Sequence, residues 1–492
     1  MIRQNLNFQN LGLLYLGMPF VIFQLFWIEL WFSIPVLVAI YLALRYAVKT
    51  PNFAMSDVVA SRRSGLAIAV LFSVTWAFFA GYFGVVFGRT PDWNQLRADY
   101  LSTFSSFGWP IKIPGLSDQP DFWLLSVPGL YLPPAGASKL LNADLNVTLY
   151  LMAAWMILGL IIVFQYILRR FSRPAEQLLA AILFVFFSGF DAVGAILTQA
   201  SPLEYLLRGG HIEPWVGTVQ LSSMTTLIFW VPHHTLSSWI GVALMDRARG
   251  TSGFTGVATS VIFLSVTWST FSPIGLTAVA VLMFVCDRNV RYSDLLRCLP
   301  LVVFATVGLL PILDYFSKQT WVPRGIWWYF SRRALLNFGI ENESMVAIVG
   351  KYLLFLALEI LVWVTIGLWL RAPKTEMVLL LLTLIAISQV VSYGPSDFTM
   401  RASIAPFFLL FVQLVGKLVS ALIRNSPRKS RLAILFLCAV MSWTGISEMM
   451  ERSRRDPSTL QAPCIISGCE SELYPPREGK FASTDKPLFF RD

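Results

Sequence analysis

The stretch Gly88-Arg-Thr-Pro-Asp92-Trp-Asn-Gln-Leu-Arg97-Ala-Asp99-Tyr100 follows directly on an apolar run long enough to cross a membrane. Asp92 is therefore a carboxylate a few residues outside a bilayer face. A carboxylate there is suited to take a proton from a substrate presented at the membrane surface. It is equally suited to be a solvated charge on an ordinary loop, and residue types alone leave the two readings even. If the stretch is helical, Asp92 and Asp99 are seven residues apart and share a face.

Four further constellations carry ionisable groups at comparable depth. Phe186-Phe-Ser188-Gly-Phe-Asp191 puts a carboxylate in the outer part of an apolar run, where a charge is costly unless it is paired or faces a wet cavity. A structural partner such as Arg208 is the plainer explanation. Arg208-Gly-Gly-His211-Ile-Glu213-Pro-Trp215 combines a cation, an imidazole, a carboxylate and an aromatic ring. His211 and Glu213 are metal-ligand types, but their spacing is no recognised metal signature. Hydrogen bonding to a polar head group is the alternative. Pro232-His233-His234 lies within the apolar run 222–245, and neighbours on a helix diverge, so at most one ring is expected to face a cavity. His234 reads as a packing residue. Ser396-Asp397-Phe-Thr-Met-Arg401-Ala-Ser403 spaces Asp397 and Arg401 for pairing along a helix. Arg401, with its planar donor fork, also suits a lipid phosphate or diphosphate. Glu359, in the middle of an apolar run, either serves function or closes a buried polar network.

The elements that must position these residues follow from composition. The chain has 492 residues, of which 56% are hydrophobic and only 13% charged, with a mean hydropathy of +0.64. Soluble domains carry about 25% charged residues. The expectation is an all-α, polytopic integral membrane protein. Apolar runs fall near 11–26, 28–47, 64–87, 147–168, 176–198, 222–245, 253–270, 273–286, 297–315, 347–370, 376–393, 402–423 and 431–449, about 13 transmembrane helices. The runs at 253–286 are short enough to form a hairpin that does not fully cross. The net charge of +10 does not call for nucleic acid, because Lys and Arg collect in cytoplasmic loops and set orientation.

Those basic loops alternate along the chain: Lys49 to Arg63, Arg169 to Arg173, Arg247 and Arg249, Arg288 to Arg297, Arg371 and Lys374, and Arg424 to Arg431. With them inside, loops 88–146, 199–221, 316–346 and 394–401 lie outside, as does the tail. Residues 1–449 then form a transmembrane domain with a large first periplasmic loop at 88–146, and 450–492 a periplasmic C-terminal tail. Cys464 and Cys469, five positions apart in an oxidising compartment, are expected to form a disulfide. Arg452, Arg454 and Arg455 argue against an outside tail, and the alternation of the loops outweighs them. No Gly-rich phosphate loop and no internal repeat is evident.

Laid out in order, these motifs resemble the GT-C superfamily of polytopic membrane glycosyltransferases. Asp92 stands where those enzymes carry their catalytic acid. The chain is more closely similar to a group of uncharacterised bacterial membrane proteins of that general type. Asp92-Trp93 with Trp109-Pro110 carries the likeness, as do Phe187-Ser188-Gly189-Phe190-Asp191, His211-Ile212-Glu213-Pro214-Trp215, Phe229-Trp230-Val231-Pro232-His233-His234, and Ser396-Asp397-Phe398-Thr399-Met400-Arg401-Ala402-Ser403. The likeness covers about residues 72–406. It implies a multi-pass protein of the bacterial inner membrane that moves a sugar from a polyprenyl-phosphate-linked donor to a glycan or lipid acceptor. Asp92 would be catalytic, and Asp99, Asp191, Arg208, His211, Glu213, His233, Asp397 and Arg401 would bind substrate. A divalent metal is compatible with it and not required. A lipid-linked polysaccharide polymerase or ligase, or a transporter or flippase, is the alternative. One departure stands out: the group's Lys-His-Asn is Gln95-Leu96-Arg97 here, which puts catalytic competence in question.

Overall fold

The computed structural model describes residues 8–47, 61–80, 91–113, 122–124, 128–207, 210–287, 292–317, 326–340, 342–392, 396–423, 427–454, 482–483 and 486–490. The side chains of residues 91–98 fall outside that description. So do Asp118, Asp121, Arg208 and the expected Cys464–Cys469 pair. Among the described residues the three other cysteines, Cys286, Cys298 and Cys438, are free thiols.

The chain is all-α apart from a few two- and three-residue strands. Helices α1 (Phe8–Trp27), α2 (Leu30–Ala47) and α3 (Ser61–Phe79) come first. The surface helix α4 (Pro91–Ser106) follows, then strands β1 (Lys112–Ile113) and β2 (Phe122–Leu124) and helix α5 (Leu132–Leu141). Next are α6 (Leu145–Leu168), α7 (Pro174–Val185), α8 (Asp191–Thr198), α9 (Pro202–Leu207), α10 (Met224–Trp230) and α11 (Pro232–Ala248). The second half holds α12 (Phe254–Ser265), α13 (Ser272–Cys286), α14 (Tyr292–Ser317), β3 (Trp327–Trp328), α15 (Arg332–Phe338) and α16 (Met345–Phe355). It ends with α17 (Val362–Trp369), α18 (Lys374–Ser388), β4 (Val390–Val391), α19 (Asp397–Ala402), α20 (Ile404–Ile423), α21 (Arg428–Arg454) and β5 (Ala482–Ser483).

Each of the thirteen apolar runs contains a helix, but they are not equivalent. Among the described residues, seven helical stretches are both long and apolar enough to cross a membrane: 10–27, 30–47, 145–168, 293–317, 345–369, 404–423 and 428–451. Four others, at 63–79, 174–185, 254–265 and 272–286, are apolar but shorter. Two runs are broken. The run at 176–198 stops at Val185 and restarts at Asp191, and that at 222–245 is interrupted at Val231 ahead of Pro232. Pro232 has no N–H to continue the helix, so the second break is written in the sequence.

The outward faces of the long helices are apolar. Leu299, Val303 and Leu313 of α14, and Trp31, Val38 and Leu42 of α2, are exposed. So much contiguous apolar surface is unsuited to water and suited to lipid. The interior is aromatic. Trp76 stacks on Trp239 with ring centroids 5.9 Å apart, and Phe184 packs edge-on to both. Phe408 and Phe411 of α20 extend the cluster. Most of α20 is buried between α7, α11, α13, α18 and α21. Gln24 of α1 donates to the Gly308 carbonyl of α14 at 2.9 Å.

The two ends of the bundle differ in charge and in architecture. At one end Arg170 bonds Asp246 at 2.6 Å, Arg249 pairs with Glu376, and the Gly250 N–H donates to Asp287 at 2.6 Å. These contacts tie together the loops that the basic residues assign to a single side. At the other end lie α4, α5 and a three-stranded sheet of order β1-β2-β5. In that sheet a tail strand is hydrogen-bonded to a strand of the 88–146 loop, with Trp123 opposite Ser483 and Leu124 opposite Ala482. Loop and tail therefore share one end of the molecule. Phe490 sits edge-on to Trp27 and Trp123 and against Tyr315, while the Glu29 N–H donates to the Phe489 carbonyl at 3.1 Å.

A buried carboxylate cluster at the helix breaks

The break after α7 gives the first cluster its shape. Residues 186–190 leave the helix, and backbone groups freed inside an apolar bundle must be satisfied by protein. Trp363 of α17 donates Nε1–H to the Ser188 carbonyl at 2.8 Å, and the Met224 N–H donates to the Phe187 carbonyl at 3.0 Å. The chain restarts with Asp191 in the first turn of α8. Its Oδ2 accepts from Ser188 Oγ at 2.7 Å and from Thr444 Oγ1 of α21 at 2.8 Å. Asp191 is 1% exposed.

Facing it is Glu359, fully buried on a π-helical turn, Leu356–Leu361, between α16 and α17. Such wide turns recur where a side chain must be aimed at a functional position. Glu359 Oε1 accepts from Trp215 Nε1 at 3.1 Å, and its carboxyl contacts that of Asp191. Close approach requires glycine here: a Cβ on Gly189 would occupy the position of Glu359 Oε2. Gly194 likewise makes room for the Trp215 ring.

His211 stands beside this pair. Its Nδ1 donates to Glu448 Oε1 at 2.9 Å, and its ring lies 5.2 Å from that of Trp230, whose Nε1 donates to Glu448 Oε2 at 3.2 Å. The Gln220 amide lies 3.1 Å from His211 Nε2 and donates to Glu213 Oε2 at 2.8 Å; Glu213 Oε1 accepts the Ser223 N–H at 2.7 Å. The His211 side chain is 29% exposed, so the cluster has an open rim. Burial opposes a charge on His211. The bond to Glu448 and the fields of Glu213, Glu448 and Asp191 outweigh it and push the imidazole up to about 9. Burial also pushes Glu213 up to about 7, with Asp191 and Glu448 adding to the effect and the imidazolium opposing it. The ring is thus a cation near neutrality, held by carboxylates. The arrangement can bind hydroxyl groups and exchange protons.

A second cluster sits one helical turn beyond Trp230. Arg401 pairs with Asp397 at 3.0 Å, and its guanidinium lies over the Phe271 ring at 5.4 Å. Arg401 Nε is buried and meets no acceptor among the described residues. His234 is buried and bonds Ser269 through Nδ1. The rings of His233 and His234 lie 4.0 Å apart rather than diverging. They occupy the first turn of α11.

The structure thus brings Asp191, His211 and Glu213 together, and sets Arg401 and Asp397 beside the two histidines. Asp92 lies in the first turn of α4. That helix packs on α5 and α6, with Phe104 stacked on Tyr131 at 5.8 Å, and Asp99 is buried on it. Glu448, Gln220 and Thr444 were not singled out in the sequence, and Trp230 entered only within the Phe229–His234 motif. Glu448 had a signal: it is a carboxylate in the last turn of an apolar run, at the depth of the other polar groups. The basic residues that follow made it look like part of the boundary. Among the described residues, no group of three or more His, Cys, Asp or Glu forms a metal site.

The fold and the clusters define an all-helical protein with several helices of membrane-crossing length and a buried acidic centre at its loop-bearing end. Comparison with known proteins gave no match: no family model, no curated protein and no solved structure aligns with the chain.

Proposed function

We propose that the chain is a bacterial inner-membrane glycosyltransferase of GT-C type with about thirteen membrane-crossing helices. It moves a sugar from a polyprenyl-phosphate-linked donor to a glycan or lipid acceptor at the periplasmic face. The observation that carries the reading is Arg401. Among the described residues its guanidinium pairs with one carboxylate, Asp397, and its buried Nε has a donor to spare. A phosphate oxygen supplies the missing acceptor. In the transfer, Asp92 takes the proton of the acceptor hydroxyl as that oxygen attacks the anomeric carbon. The bond from that carbon to the phosphate oxygen breaks, and Arg401 offsets the charge that develops there. Asp191, His211 and Glu213 bind sugar hydroxyls, while Asp99, Arg208, His233 and Asp397 position the substrates.

A transporter or flippase is favoured by one observation, the helix break with buried carboxylates. Broken helices at membrane depth are a feature of such proteins. A transporter works with Asp92 neutralised, and the transferase does not. The test is transfer of labelled sugar from polyprenyl-phosphate donors in membranes holding the native chain or its variants. Asp92→Asn is expected to lower transfer about 10²–10⁴-fold without loss of folded protein. Arg401→Ala is expected to raise KM for the donor and slow transfer together. Native transfer rates in Asp92→Asn would overturn the assignment.

A further inference from the structure

The Asp191–Glu359 contact is an arrangement that two carboxylates cannot make. Three observations meet there. First, the two carboxyl groups face each other within hydrogen-bonding reach, beside Gly189. Second, every donor nearby is used on the far side of each group. Ser188 and Thr444 donate to Asp191 Oδ2, and Trp215 donates to Glu359 Oε1. Third, Asp191 Oδ1 and Glu359 Oε2 are left with no donor among the described residues, and both side chains are almost wholly buried. Two acceptor oxygens in contact in a dry interior repel unless a proton lies between them. The backbone is built around the contact: the break before Asp191, the π-helical turn at Glu359 and the absence of a side chain at Gly189 all bring the groups together.

We propose that Asp191 and Glu359 form a proton-binding site, one hydron held between Oδ1 and Oε2, at the break between α7 and α8. The ligand is a proton and not a metal ion, since the surrounding donors do not assemble into a metal site among the described residues. The charged groups that face it are His211 and Glu213 from the 210–216 segment, with Glu448 of α21 behind His211. The His211 side chain is 29% exposed, and its charge acts on Asp191. That imidazole can relay a proton between the pair and the surface. The site shares Asp191 with the transferase reading, but it does not rest on that reading and holds whether the chain transfers sugars or moves a solute.

Infrared difference spectroscopy on the full chain in lipid nanodiscs reads the proton directly. The native protein at neutral pH is expected to show the carbonyl stretch of a buried carboxylic acid, shifted to lower frequency in D2O. Glu359→Gln and Asp191→Asn are each expected to remove it. Folding is checked by thermal melting. Glu359→Gln is expected to melt close to the native temperature, because its amide N–H donates to Asp191 Oδ1 as the shared proton does. Glu359→Ala is expected to melt well below it. A native spectrum without a protonated-carboxyl band would overturn the proposal. So would a native melting temperature that rises with sodium and loses that response in both variants, which would make the ligand a metal cation.

Discussion

At the scale of single residues, the chemistry turns on which groups carry protons. His211 is raised from 6.5 to about 9, and Glu213 from 4.5 to about 7. In both cases the folded state binds protons more tightly than the unfolded chain. The sign is therefore the same: stability falls as pH rises through each window. Glu213 contributes between about pH 4.5 and 7, and His211 between about 6.5 and 9. The stabilisation from His211 is fully present below its unfolded value and is lost as pH passes the folded one. Melting temperature of the native protein is expected to fall from pH 6 to pH 9, with on the order of 1–3 kcal/mol in the His211 window. His211→Gln is expected to flatten the upper part of the profile and Glu213→Gln the lower part. A profile unchanged by His211→Gln would show that the imidazole is not charged in the folded protein. The neutral ring fits the Gln220 amide as it stands, accepting at Nε2. In the charged ring Nε2 donates, so Gln220 must turn its oxygen to it, and ring charge and amide orientation change together.

At the scale of elements, the helix breaks decide where polar groups lie. Periodicity in the sequence located helices in all thirteen apolar runs, because a continuous apolar run of membrane length has few other solutions. It took 222–245 as one continuous span, although Pro232 is what interrupts that run at Val231. It did not locate the break at 186–190, where no proline stands and Gly189 is the only irregularity. Nor did it show that Glu359 meets Asp191, since the two lie 168 positions apart and only packing joins them. Asp191, His211 and Glu213 were legible as expensive charges at one depth; Glu448 was hidden by its place at a helix end. Gly189 carries a prediction of its own. Gly189→Ala places a methyl group on the Glu359 carboxyl, so either the π-helical turn or the break must shift. The expected cost is about 1–3 kcal/mol, read as a lowered melting temperature. Gly189→Ala combined with Glu359→Ala is expected to recover part of that loss, because the clash partner is gone. Equal melting temperatures for Gly189→Ala and the native chain would show that the close approach is not rigid.

At the scale of the whole molecule, orientation is the property on which every functional reading depends. Two independent features sort the loops in the same way. Lys and Arg collect in alternate short loops, and contacts such as Arg170–Asp246 and Arg249–Glu376 join those loops at one end. Contacts at the other end join what the charges place opposite: β2 of the 88–146 loop to β5 of the tail, and Gly210 to Ser447 through paired backbone and hydroxyl bonds. Agreement between a charge bias and a packing pattern is informative, because neither causes the other. By the positive-inside rule, the prediction is that the carboxylate cluster, Arg401 and the tail face the outer side. Two exposed positions mark the ends. Asn142 caps α5 at the loop end, and Lys374 begins α18 at the basic end. Each is solvent-exposed, so a cysteine there should react without disturbing the core. In intact cells a membrane-impermeant maleimide is expected to label Asn142→Cys and to label Lys374→Cys only after permeabilisation. The five native cysteines, Cys286, Cys298, Cys438, Cys464 and Cys469, require a background in which all are replaced by serine or alanine. Labelling in the reverse order would put the candidate site on the cytoplasmic side, where a periplasmic transferase could not use it. Labelling of both positions in intact cells would mean that the two ends do not lie on opposite sides of one membrane.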